Sequence, residues 1–260
     1  MKVTKENWKE IDVNIDSLWI IGPRAKGGKR ENNYHGNFAP QVPDHLIRRY
    51  TEEDDVVVDL YMGSGTTLYE CERLKRNVIA FDINPEILEY ARNKMSDCSD
   101  IRCFINECDV TDSEKFSETI GGNLKELGTK RVDFILAHPP YWDIIKFTDK
   151  KEDISNISDL QEFLSAFAKS MENAVKYLRA GKHFAIVVGD LYREGEVVPL
   201  GFYMMEAIKK VIKCKLKGIV IKDIVGNRAK LGLEALWRFR TLKSDTFLFK
   251  HEYIFVFKKG

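Results

Sequence analysis

The sequence of 260 residues contains no C-x-x-C pair, no internal repeat and no low-complexity run. It also has no apolar stretch near the roughly 20 residues needed to span a bilayer, so no membrane partner is expected. Its five cysteines, Cys71, Cys98, Cys103, Cys108 and Cys214, are odd in number and scattered. That excludes a disulfide framework and points to reduced thiols. Cys98, Cys103 and Cys108 recur every five residues, but structural zinc sites use closer pairs, so no metal site is expected. The opening residues, MKVTKENWKEIDVNID, lack the apolar core of a secretory signal, and a cytoplasmic location is expected.

What is present suffices for one large α/β domain over 1–260. Hydrophobic residues make up 44% and charged residues 31%, enough for a packed core and a solvated surface. The net charge of +1 hides an asymmetry, because residues 209–260 hold 14 Lys/Arg against 4 Asp/Glu. A basic end on an acidic body suits a face for a polyanion, and equally suits a solvated lysine-rich surface.

Strand and helix patterns alternate along the chain. Buried-strand runs occur at 56–60, 77–83, 101–110, 131–138, 183–190, 216–225 and 251–259. Helical spacing occupies 43–50, 66–75, 85–95, part of 111–130, 160–178 and 199–212. This order predicts a doubly wound, mostly parallel sheet of the Rossmann-like type. The last two strands are joined by residues 226–250 without a crossover helix, so the last strand is expected to be antiparallel, at or near a sheet edge.

Candidate binding groups fall at successive strand ends. Asp59-Leu-Tyr61-Met-Gly63-Ser64-Gly65-Thr66-Thr67 lies between a strand and a helix, where backbone free of Cβ atoms can approach a ligand. No lysine follows at the place a P-loop requires. Asp82, 23 residues after Asp59, could take the two ribose hydroxyls of an adenosine, and Ile83 follows it. Asp109, with Val110, could accept from an adenine amino group. Each acid could instead be a helix cap, before Asn84-Pro85 and Thr111 respectively. His138-Pro139-Pro140-Tyr141 ends the fourth strand as a rigid turn.

With Phe38-Ala-Pro40-Gln-Val-Pro43-Asp-His-Leu46-Ile47 upstream, these motifs resemble the amino-directed DNA methyltransferases. Those enzymes carry F-x-P-x-x-P-x-x-L-I, then (F/Y)-x-G-x-G-T-T, then (D/N/S)-P-P-(Y/F). The resemblance implies S-adenosylmethionine as cofactor, with Phe38, Pro40, Thr66 and Thr67 at its methionine end and Asp82 at its ribose. It implies methyl transfer to an exocyclic amino group of a flipped DNA base. The first side chain of the tetrapeptide and the first proline carbonyl would accept from the amino group, and Tyr141 would stack on the base. His138 departs from the pattern. Imidazole accepts only when neutral, so activity is expected to fall as pH drops through the His138 pKa. Trp142 matches the S-P-P-Y-W variants and favours N4 of cytosine slightly over N6 of adenine.

Nucleic-acid contacts are expected from the basic loop 22–37 (Arg24, Lys26, Lys29, Arg30), from Trp142, and from the insertion at 226–250 (Arg228, Lys230, Trp237, Arg238, Arg240, Lys243). The insertion could also be a helix–loop packing its leucines on the core. Double-stranded DNA is the expected partner, with a homodimer or a specificity partner supplying further recognition. Two other readings stay open: an RNA guanine-N2 methyltransferase, and a weakly catalytic cofactor-binding subunit that binds DNA.

Overall fold

Val56, Val57 and Val58 are all buried, and so is every residue of Val132–Ala137. Continuous apolar runs of this kind belong to parallel strands covered on both faces. The computed structural model describes residues 3–30, 37–224 and 234–260. In chain order they form β1 (Leu18–Trp19), α1 (Gln41–Tyr50), β2 (Val56–Asp59), α2 (Thr66–Leu74), β3 (Asn77–Asp82), α3 (Pro85–Lys94) and β4 (Cys103–Glu107). Then come α4 (Ser113–Glu126), β5 (Val132–Ala137), α5 (Leu160–Val175), β6 (Leu178–Val188), β7 (Leu191–Arg193), β8 (Glu196–Val198), α6 (Leu200–Val211), β9 (Cys214–Asp223), α7 (Glu234–Lys243) and β10 (His251–Lys259).

The main sheet has the order β1-β9-β10-β6-β5-β2-β3-β4, and β10 alone runs antiparallel to its neighbours. Alternate strand residues feed two cores. One face carries Val58, Phe81 and Ile135 against Phe116 of α4, Phe163 and Phe167 of α5, and Met204 of α6. The other carries Val57, Ala80 and Leu136 against Leu46 of α1, Leu68 of α2 and Leu88 of α3. Each fully buried phenylalanine contributes roughly 2–3 kcal/mol.

Two features differ from the sequence expectation. The antiparallel last strand lies inside the sheet, flanked by β6 on one side and by β9 and then β1 on the other. Ile254, Phe255, Val256 and Phe257 are all buried, so β10 needs cover on both faces. A small hairpin, β7–β8, also follows β6, turning through Glu194 and Gly195, both at positive φ. That pair is the turn chemistry of a two-residue hairpin.

Chain order reverses between β2 and β5, which lie side by side with Asp59 opposite Leu136. A crevice opens beyond the carboxyl ends of strands at such a switch point. The loops after β2 and β5 therefore meet there, although more than 70 residues separate them.

Candidate active site

The loop after β2 is held by its own strand ends. Asp82 Oδ2 accepts from Gly63 N at 2.8 Å, and Asp82 Oδ1 accepts from Asn84 N at 2.9 Å. Gly65 sits at φ 84°, where a Cβ would lie 3.2–3.3 Å from Leu68 and Tyr69, so a side chain there is both strained and crowded. Helix caps are supplied by other residues. Asn84 caps α3 by accepting from Glu86 N and Ile87 N, and Asp112 caps α4 by accepting from Glu114 N and Lys115 N. Asp82 and Asp109 are thus not the caps of these helices, and both line a cavity.

That cavity, of about 260 Å³, opens at the switch point. Phe38, Tyr61, Gly63, Ser64, Thr66, Asp82, Ile83, Asp109 and Val110 line it, together with His138, Pro139, Pro140 and Tyr141. Pro40, Asp59, Gly65 and Thr67 are not among the lining residues. Pro40 starts α1, Gly65 starts α2, and Asp59 accepts from Tyr61 N at 3.1 Å beneath the loop. Burial raises the Asp59 carboxyl to about 6, against the Thr67 and Tyr61 contacts that lower it. Burial likewise raises Asp82, with the Asn84 and Gly63 amides opposing.

The lining has a marked polarity. Asp82, Asp109, Glu152, Asp153 and Glu252 face it, and among the described residues no Lys or Arg does. Ser64 Oγ and Thr66 Oγ1 are buried there without a hydrogen-bond partner among the described residues. Buried hydroxyls of that kind call for a ligand or water. Hydroxyls left to be satisfied and a wholly acidic rim fit a ligand rich in donors and positive charge, and oppose one carrying phosphates.

The tetrapeptide after β5 forms the other side. His138 packs edge-on against Phe38, with ring centroids 4.8 Å apart. Its Nε2 lies 3.0 Å from Tyr141 Oη, and Tyr141 donates to Glu252 Oε1 at 3.2 Å. Glu252 Oε2 is paired with Lys222 Nζ at 2.7 Å. Gly189, at the end of β6, makes room for the tyrosine, because a Cβ there would lie 3.0 Å from the Tyr141 ring. Burial lowers the His138 imidazole to about 4, with Glu252 opposing. The ring is therefore held neutral near pH 7, and its titration falls well below the ordinary histidine range assumed from the sequence.

Residues 1–93 match the profile of a family described as DNA methylase. Over that stretch, about a third of its length, the chain is similar to the DNA methylase family. The methylase match takes in Phe38, Pro40, the loop after β2 and Asp82, and ends before His138. The Type II methyltransferase M.MjaII of Methanocaldococcus jannaschii is 40% identical over 52 residues, 20% of this chain and 10% of that protein. M.PvuII of Proteus hauseri is 36% identical over 90 residues, 32% of this chain and 26% of its own length. The chain thus spans about a tenth to a quarter of the length of these relatives. Among solved structures, TrmN from Thermus thermophilus superposes with a TM-score of 0.52 at 18% identity, covering 86% of this chain and 49% of that one. A Streptococcus mutans protein in complex with SAH gives 0.50 at 11% identity, covering 85% and 97%. These two likenesses establish the fold.

The methylase motifs converge, but several residues assigned to nucleic acid do not join them. Trp142 is a correction. It takes φ 56°, its ring is buried at 8% exposure, and the Arg193 guanidinium covers it at 4.4 Å. Its face is spent on the core, so it offers none to a base. Lys29 pairs with Glu72 and Asp97, and Arg30 pairs with the buried Glu70, so both cations serve α2 and its surroundings rather than a free phosphate face. Arg24 donates to Asn37 Oδ1 and the Phe38 carbonyl, fixing the cavity rim. Lys26, Arg238, Arg240 and Lys243 are exposed, and Arg240 lies over the half-buried Trp237 at 5.4 Å. Arg228 and Lys230 fall outside the described residues.

Sequence reasoning missed Glu252 and Lys222, which face each other across β10 and β9. One signal was available: a lone acid in HEYIFVF and a lone base in IVIKDIV, each inside an apolar strand. The segment 143–158, expected from the sequence only as a contributor to target specificity, walls the cavity with Ile144, Ile145 and Phe147. Lys150 ties that segment down by donating to the Ile83 carbonyl at 2.8 Å.

Proposed function

We propose that the cavity binds S-adenosylmethionine and that the chain methylates the exocyclic amino group of a DNA base, with N4 of cytosine preferred to N6 of adenine. The observation that carries this reading is the shared lining. Groups suited to an adenosine and groups suited to an amino nitrogen face one space of about 260 Å³ whose charged side chains are all acidic. Asp82 would hold the ribose hydroxyls and Asp109 the adenine amino group. Ser64 and Thr66 would satisfy polar atoms of the bound molecule, and Phe38 and Pro40 would border its methionine end. When bound, S-adenosylmethionine supplies an electrophilic methyl group on a positively charged sulfur.

The chain's own residues act on the amino group. Its lone pair is delocalised into the base ring and is a poor nucleophile. Acceptors aimed at its N–H bonds favour a pyramidal nitrogen and stabilise the positive charge that grows there. Neutral His138 and the Pro139 carbonyl are those acceptors, and the two prolines hold them rigidly. The Tyr141 ring would stack on a base turned out of the duplex. Cytosine is preferred because Tyr141 is followed by Trp142, as in the S-P-P-Y-W variants.

DNA contact is assigned to the connection between β9 and β10, the second of which carries Glu252 of the cavity lining. Exposed Arg238, Arg240 and Lys243 of α7 suit phosphates. Sequence recognition beyond this surface would come from a second copy or a specificity partner, in a cytoplasmic setting.

The test is methyl-labelled S-adenosylmethionine incubated with unmethylated genomic DNA and, separately, bulk RNA, followed by mass spectrometry of the nucleosides. Label in N4-methylcytosine is expected. Label in N6-methyladenine would correct the base, and label confined to RNA would overturn the DNA assignment. No label with the cofactor bound would overturn the catalytic reading.

A further inference from the structure

The buried pair Lys222–Glu252 lies more than 80 residues beyond the tetrapeptide in sequence and is not part of any motif read above. It nevertheless ends against that tetrapeptide. Lys222 is 5% exposed, on β9, directly opposite Glu252 on β10. Glu252 lines the cavity and accepts from Tyr141, whose oxygen meets His138 Nε2. Resting on the reading above, we propose that Glu252, ion-paired with Lys222, and Tyr141 form a directed chain that holds His138 as its Nε2–H tautomer and leaves Nδ1 as the acceptor presented to the substrate amino group.

Donor and acceptor inventories fix the direction. Lys222 Nζ is ion-paired with Glu252 Oε2 at 2.7 Å, which favours the ionised carboxylate. An ionised carboxylate only accepts, so at Glu252 Oε1 it is the Tyr141 hydroxyl that donates. That hydroxyl has one proton, now committed, and towards His138 it can only accept. Nε2 must therefore carry the imidazole proton, and the lone pair falls on Nδ1. Among the described residues Nδ1 has no hydrogen-bond partner, and the ring lines the cavity.

Charge states along the chain agree. Burial alone would raise Glu252, but Lys222, His138 and the Tyr141 hydroxyl together outweigh it and hold the carboxyl below the usual glutamate range. Burial and the adjacent Glu252 both raise Tyr141, keeping its proton on. Glu252 and Lys222 are the charged groups that act on His138, with opposite signs. The arrangement accounts for a histidine at a position where the resembling enzymes use Asp, Asn or Ser. Those side chains present an acceptor without help. An imidazole has two ring nitrogens, and only a second group can decide which one accepts. Lys222 and Glu252 are thus positioning residues, acting through Tyr141 on His138.

The tautomer can be read directly. Long-range proton–nitrogen correlation spectra of 15N-histidine-labelled protein, with His138 assigned by its loss in His138→Asn, should show an unprotonated Nδ1 and a protonated Nε2. In Tyr141→Phe, which keeps the ring and cuts the chain, the preference should collapse to a mixture while the backbone spectrum is retained. A protonated Nδ1 in the wild type, or an unchanged tautomer in Tyr141→Phe, would overturn the proposal. This readout needs no substrate, so it separates failure of the relay from failure of the methylation reading. Activity supplies the second arm. Glu252→Gln should lower kcat roughly tenfold with little change in KM for the cofactor. In a His138→Asn background, where the acceptor needs no tautomer, the same change should cost less than twofold. An equal loss in both backgrounds would make Glu252 merely structural and overturn the assignment.

Discussion

The two sides of the cavity are built in different ways. The side proposed for the cofactor comes from local sequence: one loop between β2 and α2, one acid ending β3, one beyond β4, each next to the strand that carries it. The side proposed to face the base is assembled from distance. Tyr141 reaches its partner Glu252 across 111 positions, and Glu252 needs Lys222 from a third strand to stay charged. A contiguous site survives wherever its strand and helix survive. A dispersed one depends on sheet register, here on β10 lying inside the sheet so that Glu252 lands beside β6.

The sharpest way to separate the two sides is Tyr141→Ala. Loss of the stacking face and of the His138 partner should reduce kcat at least a hundredfold, the scale of removing a preorganised transition-state group. Cofactor affinity by calorimetry should change less than threefold. A large loss of cofactor binding would mean the two sides are one unit.

Asp82→Asn should produce the mirror image. It removes a charged acceptor of Gly63 N and, on the proposed reading, of the ribose, worth roughly 2 kcal/mol, so cofactor binding should weaken about thirtyfold. The rate at saturating cofactor should stay within threefold.

Asp59 sharpens the contrast through stability. Its folded pKa of about 6 lies above that of the unfolded chain, so the fold gains from protonation at low pH and loses that gain as pH rises through about 6. Asp59→Asn should therefore raise the unfolding free energy by roughly 1–2 kcal/mol above pH 7 and leave it little changed near pH 4. A stability difference independent of pH would contradict this origin.

The smallest expected effect concerns His138. With its pKa at about 4, the kcat profile should show no histidine break between pH 5 and 8. A break near 6.5 that disappears in His138→Asn would place the ring in a more solvated state than the structure shows.

Legibility in the sequence followed the same division. The doubly wound sheet, the glycine loop and Asp82 were readable because periodicity and motif spacing act over a few neighbouring residues. The antiparallel last strand was readable from its missing crossover, but its interior place was not, since nothing local says which strand it will join. Trp142 was misassigned for a related reason. An aromatic beside a catalytic motif can face out or in, and the positive φ that turns it under Arg193 has no sequence signature at a tryptophan. Lys29 and Arg30 looked free because Glu70 and Glu72, which hold them, lie some forty residues on.

The most direct test of the central claim, one cavity with a methyl-donor side and an amino-acceptor side, is a crystal structure of the chain with S-adenosylhomocysteine. The account predicts ribose hydroxyls on Asp82, the adenine amino group at Asp109, and the sulfur turned towards Pro139 and Tyr141. A nucleoside bound elsewhere, such as the groove between Arg92 and Cys103, or one reversed so that its adenine meets His138, would contradict it.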